Sequence, residues 1–306
     1  MSRRGPLWFA LTLILFSSME VFSKPLMAST DPFTITFLRF AGGLAVLVPV
    51  LLLSPGERAA AAGMRPRTIA ALAFLGFLNT FFSMSMLQLA VKNTGASTAA
   101  AVVSSNPVFV LGFACMFGME RFSAGRLVAL LAGLGGIFVV ASEGEGLALE
   151  TGVLYAVVSS VTFALYSVLG KRMVASVTPL AANTVSFSFG VAALAAFLAL
   201  TGRPMLPSSG DAESLLRIAY LGAGVSGLGY VAFFETLKAF RATTASLVFY
   251  LKPIVASALA ALVLGEVHGW AFAGGTVLII AGSVLGGIRR GSPRESRSSG
   301  SSPARP

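Results

Sequence analysis

Two stretches of the chain share one layout: NPVFVLGFACMFGMERFS at residues 106–123 and KPIVASALAALVLGEVHGW at residues 252–270. In each, a proline lies early in a long apolar run, and a glutamate closes the run thirteen residues later, Glu120 after Pro107 and Glu266 after Pro253. A run of this length and composition predicts a membrane-spanning helix. The sequence therefore predicts two such helices of common design, 146 residues apart.

The similarity extends along both halves of the chain. Matches at shifts of 146 or 147 residues include Lys92 with Lys238, Thr98 with Thr244, Lys24 with Lys171 and Pro32 with Pro179. Internal similarity over such a length indicates two copies of one structural unit. We predict a first repeat over residues 1–147, a second over 148–288, and a disordered basic cytoplasmic tail over 289–306.

The composition indicates a polytopic membrane protein. Hydrophobic residues make up 56% of the chain and charged residues 11%, whereas soluble domains carry roughly a quarter charged residues. Because a spanning helix needs about 20 apolar residues, we expect ten transmembrane helices in an all-α fold. Their approximate ranges are 7–27, 34–53, 67–90, 96–118, 124–142, 151–173, 180–201, 214–237, 243–265 and 270–288. Five spans per half is an odd number, so the two repeats are expected to be inverted relative to each other.

Basic residues predict the orientation. With the N-terminus inside, sixteen Lys and Arg residues fall on the cytoplasmic side and four on the other side, as the positive-inside rule requires. We expect both termini to be cytoplasmic, in the plasma (inner) membrane of a prokaryote. No basic face with interleaved aromatic residues is visible, which argues against nucleic-acid binding. One cysteine, Cys115, and one histidine, His268, offer no disulfide or metal site.

Three ionisable residues fall inside predicted spans: Glu20, Arg39 and Lys252. Each has a neutral equivalent in the other half, respectively Ser167, Ser186 and Asn106. Intramembrane ionisable residues are functional candidates by default. Glu20 and Arg39 have similar predicted depths, so they form either an ion pair that locks two helices or part of a substrate site. Lys252 has no acidic residue within one turn and is the strongest candidate, whereas Lys24 is expected to be interfacial.

Neutral polar residues extend the candidate substrate site. Those selected are Asn79, Asn106, Tyr166 and Tyr230, each of which could equally bond between helices. Glu20 is also a candidate for a coupling proton. Pro107 and Pro253 each remove a backbone hydrogen bond and are expected to bend the fourth and ninth helices, either around a central cavity or as packing kinks.

The two quoted stretches, with ten spans in two five-helix repeats, resemble the drug/metabolite transporter superfamily and its EamA-type branch. The family's proline followed by Gly-Glu is matched by Pro107 with Glu120 and by Pro253 with Gly265 and Glu266; Met119 replaces the glycine in the first half. The resemblance implies a transporter fold and secondary transport, because family members export amino acids, other metabolites and toxic cations.

Inverted repeats suit alternating access around a site near the midplane. The leading hypothesis is therefore a secondary active transporter that exports amino acids or similar small polar metabolites. Proton-coupled efflux of hydrophobic cations is the alternative, although Arg39 and Lys252 argue against it. A membrane-embedded enzyme or sensor is the third, but no catalytic constellation or nucleotide-binding loop is visible. We predict no enzyme activity, cofactor or metal; the expected partners are a small-molecule substrate and the lipid bilayer, with proton coupling open and a monomer or homodimer.

Overall fold

The computed structural model describes residues 4–120, 122, 124–141, 151–208, 210–265, 269–270, 273–275, 277–278 and 281. Every regular element in these ranges is helical. The long helices are α1 Gly5–Ala28, α2 Pro32–Leu53, α3 Pro66–Asn93, α4 Ala96–Met116, α5 Ala124–Ala141, α6 Thr151–Met173, α7 Pro179–Leu200, α8 Ala212–Ala239 and α9 Ala242–Leu264. Eight of these, α1–α4 and α6–α9, are long and apolar enough to cross a membrane.

The all-α polytopic fold is thus confirmed, with eight candidate spans close to their predicted positions. The predicted tenth span, 270–288, lies mostly outside the described residues, and the tail, Glu266 and His268 lie wholly outside them. The count of ten helices and the inversion of the repeats therefore stay predictions.

Equivalent caps begin the second helix of each half. The Asp31 carboxylate accepts a hydrogen bond from the Phe33 backbone N–H at 2.9 Å and starts α2. The Thr178 hydroxyl accepts one from the Ala181 N–H at 3.3 Å and starts α7. Such caps satisfy backbone donors that have no partner inside the helix.

The third helix of each half contains a π-helical stretch, Phe77–Ser83 in α3 and Tyr220–Gly229 in α8. The two stretches overlap when the halves are aligned, and the sequence patterns did not predict them. A π-helical stretch changes the angular position of the residues around it and is frequent at functional sites. Each stretch directly precedes a residue that lines the central cavity, Met84 in α3 and Tyr230 in α8.

Glycines bring helices from different halves into close contact. A Cβ added to Gly76 in α3 would lie 1.7 Å from the Ser186 carbonyl oxygen in α7. One added to Gly222, the equivalent residue in α8, would lie 3.0 Å from Gly42 Cα and 3.3 Å from the Arg39 carbonyl oxygen in α2. Ser186 and Arg39 are themselves equivalent, so the same helix crossing occurs twice. Only glycine allows backbones to approach this closely.

Two equivalent lysines bind the ends of neighbouring helices. Lys24 of α1 donates to the carbonyl oxygens of Val91 at 2.8 Å and Thr94 at 2.5 Å, at the C-terminal end of α3. Lys171 of α6 makes the equivalent contacts at the end of α8, including one to the Phe240 carbonyl at 2.7 Å. A cation at a helix C-terminus is favoured by the unpaired carbonyl groups there, so this pair serves the scaffold.

The two repeated prolines are accommodated differently. Helix α4 is interrupted at Ser104 and Ser105, and Pro107 is the second residue of its following segment, Asn106–Met116. Pro253 lies inside the continuous segment Val248–Leu264 of α9. A proline early in a helical segment loses no internal hydrogen bond, whereas one inside a segment leaves a carbonyl without its usual donor.

Candidate functional site

A cavity lies where seven of the helices meet, α1, α2, α3, α4, α6, α8 and α9. The space between its side chains totals about 310 Å³ when the part open to the outside is included, and the room for the centre of a water-sized sphere is about 20 Å³. Its lining residues are Phe16, Met19, Arg39, Met84, Leu87, Val103, Phe163, Val225, Tyr230, Phe249 and Lys252. The wall is therefore largely apolar, with Arg39, Lys252 and Tyr230 as its polar groups.

Six of these lining residues form three repeat-equivalent pairs. The pairs are Phe16 with Phe163, Met84 with Tyr230, and Val103 with Phe249. Equivalent residues of two repeats come together only near the axis that relates the repeats. The cavity therefore lies on that axis, which is where transporters built from repeats bind their substrates.

Glu20 and Lys252 form a buried ion pair across this centre. Lys252 Nζ donates to Glu20 Oε1, and both side chains are almost fully buried, 0% exposed for Glu20 and 3% for Lys252. Glu20 Oε2 has no hydrogen-bond partner among the described residues. The pair joins α1 to α9. Of the two alternatives for Glu20 and Arg39, the ion pair is not the one formed here, because α9 brings Lys252, 232 residues away in sequence, to the carboxylate instead.

Arg39 is a buried cation with neutral partners. Its Nε donates to Ser226 Oγ at 2.9 Å, and its two terminal nitrogen atoms contact the sulfur atoms of Met19 and Met84. The Phe40 ring lies 4.9 Å from the guanidinium carbon. No described carboxylate oxygen lies within 4.0 Å of the guanidinium. Burying an uncompensated cation costs several kcal/mol, and a cation–π contact returns only about 0.5–2 kcal/mol.

The neutral candidates separate into two groups. Tyr230 lines the cavity and donates to Asn79 Oδ1 at 3.4 Å, so Asn79 lies behind it. Tyr166 is buried with its ring centroid 6.3 Å from that of Tyr230, and it does not line the cavity. Asn106 donates to the Ser160 carbonyl at 3.0 Å and so links α4 to α6 away from the cavity. The structure thus brings Glu20, Arg39, Lys252 and Tyr230 together and leaves Asn106 and Tyr166 outside the wall.

Sequence reasoning missed the aromatic and thioether parts of the wall. Phe163 lies 5.3 Å from Phe249 and 6.5 Å from Phe16 between ring centroids. In a chain with 24 phenylalanines and 10 methionines, residue type alone does not distinguish these positions. Alignment of the two halves would have distinguished these positions, because Met84 with Tyr230 and Phe16 with Phe163 fall at equivalent positions beside the asymmetric charges.

Glu120 has a separate, structural role outside the cavity. Its carboxylate accepts hydrogen bonds from the Thr243 hydroxyl at 2.8 Å and the Thr243 backbone N–H at 3.3 Å, at the start of α9. Arg241 lies 3.1 Å from the same carboxylate. Glu120 therefore caps the first turn of a neighbouring helix and serves the scaffold. Within the described part of the chain, no group of three or more His, Cys, Asp or Glu residues is placed to hold a metal ion.

These features define a polytopic helical membrane protein with a buried polar site between two structural repeats. The model of the EamA-like transporter family matches residues 3–142 and 150–286, one match in each half. The chain belongs to the EamA-like transporter family, which confirms the resemblance to the drug/metabolite transporter superfamily.

Similar curated proteins match nearly the whole chain. An "Uncharacterized transporter" of Clostridium kluyveri is 32% identical over 92% of this chain and 93% of its own length. An "S-adenosylmethionine uptake transporter" of Rickettsia felis is 27% identical over 91% of this chain and 90% of its own length. One crystal structure, 21% identical, superposes with a TM-score of 0.74 over 94% of this chain and 99% of the other, which shows the fold. Family and relatives point to a transporter, not an enzyme.

Proposed function

We propose that the protein is a secondary active transporter that exports amino acids or similar small polar metabolites across the plasma membrane by alternating access. One observation carries this proposal. The cavity is lined by Arg39, whose guanidinium has neutral hydrogen-bond partners among the described residues. Beside the cavity, paired with the lining residue Lys252, Glu20 has a carboxylate oxygen with no hydrogen-bond partner among those residues. A zwitterion presents the two charges that these groups lack.

The remaining wall suits the carbon body of such a solute. Phe16, Phe163 and Phe249 are aromatic, and Leu87 and Val103 are aliphatic. A site of this kind, mostly apolar with a few polar groups at fixed positions, is typical of small-molecule binding. It favours an amino acid or related metabolite with an apolar side chain over a strongly hydrophilic solute.

Proton coupling through Glu20 fits export. A substrate ammonium and a proton would both bind the Glu20 carboxylate, so each would exclude the other. Such competition leads to exchange of a proton for substrate, and an inward proton gradient would then drive substrate outward. Alternating access is supported by the repeated glycine crossings between halves, Gly76 with α7 and Gly222 with α2, because inverted repeats give two states of similar energy.

The name of the Rickettsia felis relative gives further support, since S-adenosylmethionine is an amino-acid derivative with a carboxylate and an ammonium group. That protein is named for uptake, the opposite direction to the export proposed here. Efflux of hydrophobic cations is less well supported, because Lys252 and Arg39 place two positive charges in the wall of the cavity.

Transport in proteoliposomes tests the proposal. The purified protein would be assayed with a panel of labelled L-amino acids and with a hydrophobic cation, with and without a pH gradient. We expect transport of amino acids that a pH gradient drives, absent from protein-free liposomes and reduced in an Arg39→Gln variant. Transport of the cation alone would refute the proposal. Amino-acid transport without any response to the gradient would refute the proton-coupling part only.

A further inference from the structure

We propose that the three buried charges have different roles: Arg39 binds the substrate carboxylate, Glu20 Oε2 binds the substrate ammonium, and Lys252 is a positioning residue that holds Glu20. This inference rests on the proposed function. It also reverses the order suggested by the sequence, in which Lys252 was the strongest candidate for direct binding. The three roles differ because Glu20 and Lys252 are each other's counterion, whereas Arg39 has neutral hydrogen-bond partners among the described residues.

Arg39 has the unmet electrostatic demand. A guanidinium carries five N–H donors; among the described residues its oxygen partners are neutral hydroxyl groups, Ser226 Oγ at 2.9 Å from Nε and the Tyr230 hydroxyl. The other partners are the sulfur atoms of Met19 and Met84, which are weak acceptors on flexible side chains. Both methionines line the cavity, so the donors that they occupy point toward it. A carboxylate would replace two sulfur contacts with a pair of charge-assisted hydrogen bonds to the same two nitrogen atoms.

Glu20 offers a complementary acceptor beside this point. Its Oε1 accepts from Lys252, while Oε2 is buried and has no partner in the described part of the chain. Met19, the preceding residue, contacts Arg39 through its sulfur atom, so one turn of α1 meets both charges. Buried polar atoms are nearly always hydrogen-bonded, and an ammonium supplies the missing donor. The bound state would then alternate in sign from Arg39 through substrate carboxylate, substrate ammonium and Glu20 to Lys252.

Lys252 is poorly suited to bind the carboxylate itself. Its charge is already compensated by Glu20, and both groups are buried. Turning Lys252 toward a substrate would leave Glu20 as a buried anion without a counterion, which is strongly unfavourable. Lys252 therefore acts through Glu20: it holds Oε1 and leaves Oε2 for the substrate.

Two matched sets of solutes test these roles. The first is L-leucine, L-leucinamide, which lacks the carboxylate, and 4-methylpentanoate, which lacks the amine. The second is L-phenylalanine, L-phenylalaninamide and 3-phenylpropionate. Each solute competes with the labelled parent amino acid for transport in proteoliposomes. The wild-type protein is expected to prefer each amino acid over both of its analogues by about tenfold or more, as the loss of one charged hydrogen bond implies.

The variants separate the three roles. Arg39→Gln is expected to abolish the preference for leucine over leucinamide and to keep the preference over 4-methylpentanoate. Glu20→Gln is expected to abolish the preference for leucine over 4-methylpentanoate and to keep the preference over leucinamide. Lys252→Met is expected to weaken leucine binding while the preference over leucinamide remains, and Lys252→Arg to restore binding. Lys92→Gln, at an exposed lysine near the end of α3, is the matched control and should leave both ratios unchanged.

Ratios between solutes do not depend on how much protein folds. Arg39→Lys keeps the positive charge but loses the paired N–H donors of the guanidinium, so it should retain a reduced preference for leucine over leucinamide. The inference is overturned if Lys252→Met abolishes the preference over leucinamide while Arg39→Gln keeps it; the proposed function would then still hold. If the wild-type protein transports neither amino acid, the proposed function fails for this substrate class.

Discussion

The Glu20–Lys252 pair makes a sharp prediction about stability. Lys252→Met removes the counterion of a carboxylate whose side chain is 0% exposed, and Glu20→Met removes the counterion of an ammonium that is 3% exposed. Breaking a buried pair from one side costs about 3–5 kcal/mol, whereas replacing both partners by apolar residues is neutral or stabilising by about 1–4 kcal/mol. Each single variant should therefore lose about 3–5 kcal/mol of unfolding free energy, and the double variant should be more stable than either.

Equilibrium unfolding by SDS in mixed detergent micelles, followed by far-ultraviolet circular dichroism, measures this cycle. Glu213→Gln is the matched control, because Glu213 pairs with Arg217 one turn away in α8 and its side chain is 72% exposed. An exposed pair of this kind contributes about 0.2–1 kcal/mol. The double variant Glu20→Met with Lys252→Met should be folded and unable to transport, which separates the structural role of the pair from its functional role.

Two results would refute the reasoning. If Lys252→Met costs no more than Glu213→Gln, the pair is solvated and does not compensate a buried charge. If the double variant loses the sum of the two single losses, the two side chains do not interact. Either outcome would also remove the argument that Lys252 is unavailable to the substrate.

Three further predictions concern the scaffold. Gly76→Ala should reduce the yield of folded protein in size-exclusion chromatography, because its Cβ would lie 1.7 Å from the Ser186 carbonyl oxygen, whereas Gly112→Ala, with no atom within 4 Å of the added Cβ, should not. Glu120→Gln should lower the unfolding free energy by about 0.5–2 kcal/mol through loss of a charged helix cap and leave the leucine-to-leucinamide ratio unchanged. Asp31→Asn breaks the contact with Arg203, and Glu57→Gln weakens the equivalent contact with Thr178. The assay is the rate at which a membrane-impermeant thiol reagent, added from one side, labels a cysteine placed at Val103. The two variants should change this rate in opposite directions, and equal changes would contradict the equivalence of the two contacts.

Helix positions were predictable from the sequence because length and hydropathy alone decide whether a segment spans a bilayer. The apolar run at 34–53 became α2, Pro32–Leu53, and the run at 151–173 became α6, Thr151–Met173. Prolines and charged residues mark the ends of these runs in both halves. The identity of the three unusual charges was equally visible, since each is costly in a membrane and each lacks an equivalent in the other repeat.

The partners of those charges were not predictable in the same way. Helical spacing relates residues within a turn or two, and it placed Glu20 near Arg39 by depth alone. The actual partner of Glu20, Lys252, depends on α1 packing against α9, which no local pattern encodes. The π-helical stretch before Tyr230 was also invisible, because it alters the angular position of a side chain without altering the apolar pattern.

The differences between the two repeats explain why a site between similar halves is asymmetric in charge. Equivalent contacts hold both halves: Lys24 and Lys171 bind helix ends, and Gly76 and Gly222 mark helix crossings. A cavity on the axis of such a scaffold would by itself accept a solute in two equivalent orientations.

At the three charged positions the other half has neutral residues: Ser167 donates to the Phe163 carbonyl at 2.8 Å and Ser186 to the Asn183 carbonyl at 3.3 Å, each within its own helix. Asn106 donates from α4 to the Ser160 carbonyl of α6 at 3.0 Å. Because the carboxylate and both cations come from one member of each equivalent pair, one of the two orientations gains charged contacts and the other does not. A transporter with these asymmetric charges therefore distinguishes the two ends of its substrate, which a zwitterion with an apolar side chain requires.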